Sequence, residues 1–148
     1  MPGSTTAAGS MLAISAASPT AQTAAAFSAL AFTVIGGIDK IGPVPAATFA
    51  KVEFQPLNAP KDKLKGSADY GSMAPSAAYD DADAGQALLR SAAEDETQRL
   101  YSFRVTYPNG AVRYSQGRVF SAPETIEGAD SVLMMNADIG ITTKPVKG

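Results

Sequence analysis

The side chains able to do chemistry in this chain are acids, lysines and tyrosines. It has neither cysteine nor histidine. That removes disulfides, thiol nucleophiles, Cys/His zinc sites and every histidine acid–base scheme together. Three carboxylates crowd at Asp80, Asp81 and Asp83. A calcium loop needs such acids, with a glycine at its sixth position and an acid at its twelfth. No frame starting at any of the three has both, so capping a helix is the favoured role. Carboxylate pairs can cleave glycosidic bonds, but the consecutive acids Glu94-Asp95-Glu96 read as a solvated face after that helix. Gly36-Gly37-Ile38-Asp39-Lys40 lacks the spacing of a phosphate-binding loop. Tyr101, Tyr107 and Tyr114 are able to stack bases, yet their alternating placement assigns them to core packing. The sequence therefore points away from an enzyme, with no cofactor and no metal.

These residues must be carried by one domain, since 148 residues suffice for one core and not for two. A balance of 12 basic to 14 acidic residues gives no basic stripe of the kind that grips nucleic acid. The clearest element is a β-hairpin. Tyr101, Phe103, Val105 and Tyr107 alternate with Ser102, Arg104 and Thr106, the pattern of a half-buried strand. Pro108-Asn109-Gly110 supplies the turn, with Gly110 taking the left-handed conformation. The return strand Ala111–Phe120 carries Val112, Tyr114 and Phe120 on one face, and Gly117 in it marks a bulge or a close backbone approach.

Other strands are expected at Ser10–Ala16 (weaker), Ala29–Ile38, Phe49–Gln55 and Ser131–Thr142. In the last, Leu133, Met135, Ala137 and Ile139 share a face. A helix is expected over 82–93, capped by Asp81 or Asp83, with Leu88, Leu89 and Ala92 as its docking stripe; Gly85 weakens its first turn. Mainly β structure follows: a small antiparallel β-sandwich or barrel with one flanking helix. It is organised as an N-terminal arm 1–28, a β domain 29–142 and a tail 143–148.

No charged side chain precedes Asp39. The apolar run Ala24–Gly37 is broken by polar residues and lacks a basic flank, so neither a signal peptide nor a membrane anchor is expected; a flexible arm followed by a buried strand is. Residues 56–80 show no clear periodicity and contain Pro56, Pro60 and Pro75. Loops this long are either solvated or functional. Here lysines (Lys61, Lys63, Lys65) precede acids (Asp69, Asp80, Asp81), which suits a protruding arm that meets a partner.

The order of features resembles one family. It runs from a strand pair through a loop with Gly66-Ser67-Ala68-Asp69-Tyr70-Gly71 to a helix opening with Gly85-Gln86-Ala87-Leu88-Leu89. The hairpin Tyr101–Gly110, a return strand with Gly117-Arg118-Val119-Phe120-Ser121 and a last strand ending near Ile141-Thr142-Thr143-Lys144-Pro145 follow. Over about residues 30–146 this is similar to the major tail tube proteins of long-tailed bacteriophages, in particular the lambda-like siphophages. The resemblance implies a β-sandwich whose copies join into a hexameric ring β-barrel. Rings stack into a hollow tube that encloses the tape measure protein and conducts double-stranded DNA into the host.

It also implies tail terminator and tail tip proteins as partners, and a place in the virion after assembly in the host cytoplasm. Lys61, Lys63, Lys65, Asp69 and Tyr70 would form the inter-ring contact loop. Glu53 and Asp138 are candidates for the lumen face, which is typically acidic so that DNA slides without sticking. Two other readings share the strand content: a tube subunit of a contractile injection or secretion apparatus, and a monomeric adhesin-type β-sandwich.

Overall fold

The computed structural model describes residues 6–148, so residues 1–5 of the predicted arm lie outside the described residues. The chain runs β1 (Met11–Ser15), α1 (Ala24–Ser28), β2 (Thr33–Val34), β3 (Ile38–Lys40), β4 (Thr48–Phe54), β5 (Asp62–Asp69), β6 (Ser72–Met73) and β7 (Ser76–Ala78). It continues through α2 (Ala84–Glu94), β8 (Tyr101–Thr106), β9 (Val112–Ser121), β10 (Glu124–Thr125), β11 (Met134–Asn136), β12 (Asp138–Ile141) and β13 (Val146–Lys147). Seven strands form a large antiparallel sheet in the order β2-β1-β8-β9-β12-β6, with β13 also on β9. A four-stranded sheet has the order β10-β11-β7-β3, and β4-β5 stands as a separate two-stranded ribbon. The expected mainly β fold is the one observed, with two helices where one was expected.

The hairpin at its centre follows from the turn. Gly110 sits at φ +91°, its N–H donates to the Tyr107 carbonyl at 2.9 Å, and Asn109 Oδ1 accepts from the Ala111 N–H at 3.0 Å. A three-residue loop pairs Thr106 with Val112 and Phe103 with Ser115. Odd positions therefore face odd positions. Tyr101, Phe103 and Val105 point into the core as expected, with Leu12 and Ile14 of β1 beside them. Val112 and Tyr114 do not join that face; Tyr114 lies opposite Arg104 on the other side of the sheet. Phe120 departs further. Asp138 pairs with Ser121 and Ile139 with Val119, so Phe120 is the extra residue of a bulge, and its side chain is 64 % exposed.

The core lies between the inner face of the large sheet and a second layer made by α2 and the small sheet. Phe103, Leu12, Ile14 and Ile139 come from the first, Leu89, Ala92 and Met135 from the second. Asp83 caps α2: its Oδ2 accepts from the Gln86 N–H at 2.9 Å and from the Gly36 N–H at 3.0 Å. Gln86 is fully buried. Its Nε2 donates to the carbonyls of Gly36 and Ala78, both at 2.8 Å, and its Oε1 accepts from the Asp80 N–H at 2.9 Å. These two side chains tie the start of α2 to β7 and to the link between β2 and β3. Gly85 is small because a Cβ there would strike the Val34 carbonyl and Ile35 Cα. The closeness of helix to strand outweighs its cost to the first turn.

The expected strand Ser131–Thr142 keeps its face (Met135, Ala137 and Ile139 are buried) but serves both sheets. β11 pairs with β7 in the small sheet, β12 with β9 and β6 in the large one, and the chain turns the corner at Ala137, whose N–H donates to the Pro75 carbonyl at 3.0 Å.

Two readings need correcting. The strand expected at Ser10–Ala16 is present as β1, but it is buried from Leu12 to Ser15 and paired on both edges, so it is not part of a flexible arm. The expected strand Ala29–Ile38 is mostly irregular. Thr23 Oγ1 accepts from the Ala26 N–H at 3.2 Å and starts α1 in the alanine-rich run, leaving only β2 and the beginning of β3 extended. Residues 17–32 then lie over the outer face of the large sheet. Phe27 stacks on Tyr114 with ring centroids 5.2 Å apart and planes 9° from parallel. The Arg104 guanidinium sits 4.9 Å over the Phe32 ring, and Gln22 Nε2 donates to Gln116 Oε1 at 2.7 Å.

Of the Glu94-Asp95-Glu96 run, Asp95 is spent locally. It accepts from the Thr97 side chain and backbone and from the Tyr101 hydroxyl; these bonds, the Thr97 side chain's first, hold its carboxyl below the usual range.

Gly117 meets the close-approach expectation. A Cβ there would collide with the carbonyl oxygen of Gly140 on β12, a backbone atom that cannot swing aside. Gly117→Ala is expected to destabilise the fold by about 3 kcal/mol. Urea unfolding followed by circular dichroism measures it, and a loss under about 1 kcal/mol would show that β9 and β12 have room to separate.

Candidate assembly interface

Residues 56–80, read from sequence as a loop, carry β5, β6 and β7. The reason for the miss is local: Pro56 and Pro60 interrupt the chain just before β5, and Gly66 shifts the register within it. Phe49 pairs with Ala68 but Lys51 with Lys65, so β5 has one residue more than β4 over that span and bulges at Gly66-Ser67. Past the bulge, Val52 pairs with Leu64 and Glu53 with Lys63. The two faces of the ribbon then differ in kind. One carries Ala50, Val52, Phe54 and Leu64, with Asp62 opposite Phe54 at its end; the other carries Lys51, Glu53, Lys63 and Lys65.

The charged face of β4 is as expected, but its apolar face meets water. Val52, Phe54 and Leu64 are 48 %, 59 % and 49 % exposed, and Leu57 at the tip is fully exposed. Every residue of β4 is exposed, as is every residue of β5 except Gly66. A two-stranded ribbon with a bare apolar face is marginal alone, and a contiguous exposed apolar face marks an interaction site.

The candidate contact residues divide by position. Lys61 Nζ stands 3.1 Å from Glu53 Oε2, an exposed pair contributing little to stability. Lys63 and Lys65 project from the charged face, Lys65 with its ammonium 4.8 Å over the Phe49 ring. Lys51 directly opposite Lys65 leaves positive charge uncompensated. Asp69 and Tyr70 lie at the base: Asp69 Oδ1 accepts from the Gly71 N–H at 2.9 Å, and Tyr70 packs against the core.

Of the candidate lumen residues, Glu53 sits on the ribbon and Asp138 is exposed on β12 at the bulge. No single sheet of one chain carries both. Arg104, Arg113 and Arg118 are engaged within the chain: Arg104 over Phe32, Arg113 at 4.9 Å over Tyr107, and Arg118 through Nε to the Gln98 carbonyl at 3.1 Å.

Sequence reasoning missed a second set of exposed apolar side chains. Phe120 and the segment 126–133 present Phe120, Ile126 (83 % exposed), Val132 (64 %) and Leu133. Glu124, Glu127 and Asp130 lie in the same stretch, which has no lysine or arginine between Ser121 and Leu133, whereas Arg99 and Arg118 line the cleft at Phe120 and Arg90 the one at Glu124. The available signal was apolar residues in a stretch otherwise rich in acid, Pro and Gly. Among the described residues no cluster of metal-ligating side chains occurs, and no helix is long and apolar enough to cross a membrane.

No family model matches the chain, and no curated protein matches it significantly. Among solved structures, it is similar to a chain in the cryo-EM structure of the anti-feeding prophage baseplate, 6-fold symmetrised. The TM-score is 0.64 at 9 % identity, over 98 % of this chain and 97 % of that one. Identity so low carries the fold and not the activity. From end to end, this chain shares the mainly β fold of a component of a prophage baseplate.

Proposed function

We propose that the chain is a structural subunit of a phage-tail-type particle, working by self-assembly and not by catalysis. The carrying observation is the β4-β5 ribbon: an arm with a bare apolar face and a lysine-rich opposite face, projecting from a folded body. Such an arm is a liability in a monomer and a connector in an assembly. A shared fold with a chain of a six-fold particle, over nearly the full length of both, supports closure into hexameric rings. In the finer reading, rings stack into a tube that encloses a tape measure protein and passes double-stranded DNA during genome ejection. Terminator and tip proteins close the tube's ends, and the virion tail is its location after assembly in the host cytoplasm.

The prophage origin of the structural neighbour favours a second reading beside the lambda-like one, in which the same ring belongs to a contractile injection apparatus. The exposed apolar arm weighs against a monomeric adhesin-type module.

Sedimentation velocity and negative-stain microscopy of the purified chain test self-assembly. Rings or tubes about 100 Å wide are expected, the width of a closed barrel of many strands. A monomer at every concentration and salt would refute it.

A further inference from the structure

The tip of the central hairpin brings together the parts of a reaction that a chain performs on itself. The asparagines of the sequence are Asn58, Asn109 and Asn136, and glycine follows only Asn109. The main-chain nitrogen after an asparagine is able to attack the side-chain amide carbon, and a Cβ on that next residue hinders the approach; glycine has none. Pro108, Asn109 and Gly110 are all exposed, and beyond its chain neighbours nothing lies within 4 Å of where a Cβ of Gly110 would stand. The turn also prepares the carbonyl. Asn109 Oδ1 accepts from the Ala111 N–H at 3.0 Å, so the oxygen that takes up charge during the attack already has a donor aimed at it. One bond opposes the reaction: the Gly110 N–H donates to the Tyr107 carbonyl at 2.9 Å, and releasing it slows the attack by up to about tenfold. The other two asparagines lack this arrangement. Ala59 follows Asn58, and Ala137 follows Asn136. The Asn136 side chain is also held at both ends, Oδ1 accepting from the Ser76 hydroxyl at 2.7 Å and Nδ2 donating to Thr125 Oγ1 at 3.3 Å.

We propose that Asn109 is a site of spontaneous deamidation in the folded chain. The Gly110 nitrogen gives its proton to water and bonds to Asn109 Cγ. The Cγ–Nδ2 bond breaks, and the leaving nitrogen takes up an equivalent proton and departs as ammonia. Water then adds to either carbonyl of the succinimide and opens it to aspartate or to isoaspartate. Water is the only co-reactant. The two products differ in what they do to the fold. Aspartate keeps an acceptor for the Ala111 N–H, and the turn with it. Isoaspartate adds a methylene to the main chain, which draws the Gly110 N–H away from the Tyr107 carbonyl. The tip is packed: Pro108 lies beside Gly9, and Pro108 and Asn109 line a groove that also holds Asp39 and Lys40. Either product sets a new carboxylate at that groove, and isoaspartate also loosens the lead-in to β1. The reaction needs no partner, so it is independent of the assembly reading.

Mass spectrometry of aged protein tests this. The purified chain is kept warm at mildly alkaline pH, either folded or in guanidinium chloride, with circular dichroism confirming the state. Proteolytic peptides are then fragmented by electron transfer, which separates isoaspartate from aspartate. Asn109 of the folded chain is expected to convert at a rate within about tenfold of the unfolded one, giving both products, while Asn58 and Asn136 lag behind it. The variant Asn109→Ser, which retains a side-chain acceptor for the Ala111 N–H, is expected to show no mass gain in the tip peptide. A folded rate more than about tenfold below the unfolded one, or conversion of Asn58 or Asn136 ahead of Asn109, overturns the proposal.

Discussion

Cutting out residues 50–67 and joining Phe49 to Ala68 through an Asn-Gly turn is expected to abolish polymerisation and leave the domain folded. Phe49 and Ala68 are paired neighbours at the arm's base, and Asn-Gly closes two such strands with a two-residue turn. The excised residues bury almost nothing: all but Gly66 and the intermediate Pro56 are exposed. Asp69 and Tyr70, which hold the base through Gly71 and the core, are kept. The thermal midpoint is expected within about 3 °C of wild type, a change worth roughly 1 kcal/mol at this size. Rings and tubes should be absent from negative-stain fields. A deletion of Lys61–Tyr70 instead would strip Tyr70 from the core and leave β4 unpaired, mixing loss of contact with loss of fold. If the shortened chain still polymerised at the wild-type concentration, the arm would not be the connector.

Replacing Gln86 by leucine has the largest expected effect on the fold itself. Leucine fits the buried site by size but can neither donate to the Gly36 and Ala78 carbonyls nor accept from the Asp80 N–H. Each stranded group costs about 1–3 kcal/mol, partly relieved where water reaches the helix start. A net loss of about 4 kcal/mol is expected, lowering the thermal midpoint by roughly 10 °C. Calorimetry measures it directly. A loss below about 1 kcal/mol would mean that those backbone groups find other partners.

What was legible in the sequence was what local chemistry decides. The Pro108-Asn109-Gly110 turn, the Asp83 cap, the stripe on α2 and the inward face of β8 all depend on residues near in sequence, and the glycine itself marked the close approach at Gly117 although its partner, Gly140, lies on another strand. Phases that depend on a partner strand were not legible. Tyr114 and Val112 carry the same alternation as β8, yet the three-residue loop assigns them to the opposite face. Phe120 keeps the face of Tyr114, its ring against Gly140, but the bulge against Asp138 beside it leaves it largely exposed. The weaker signal at Ser10–Ala16 gave no hint of the place of β1 inside the large sheet, which comes from pairing with β8 and β2. Lys61, Lys63 and Lys65 lie on a ribbon that stands apart from the two sheets, but β5 itself was not legible, because prolines preceded it and Gly66 broke its phase. Its alternation becomes visible only when β4 lies alongside.

The place of β1 in the large sheet has a consequence for biosynthesis. Met11 pairs with Thr106 and Ser15 with Ser102, so the first strand made waits for β8 before it has that neighbour. At roughly 5–20 residues per second, the interval on the ribosome is about 5–20 s. During it Leu12 and Ile14 have no hydrophobic partner on β8, whereas the β4-β5 ribbon, local in sequence, is free to pair at once. Such separations slow folding and leave a strand edge open to other nascent chains. Slower translation before residue 106 is therefore expected to lengthen the time this edge stays open, and to raise the share of aggregated chains.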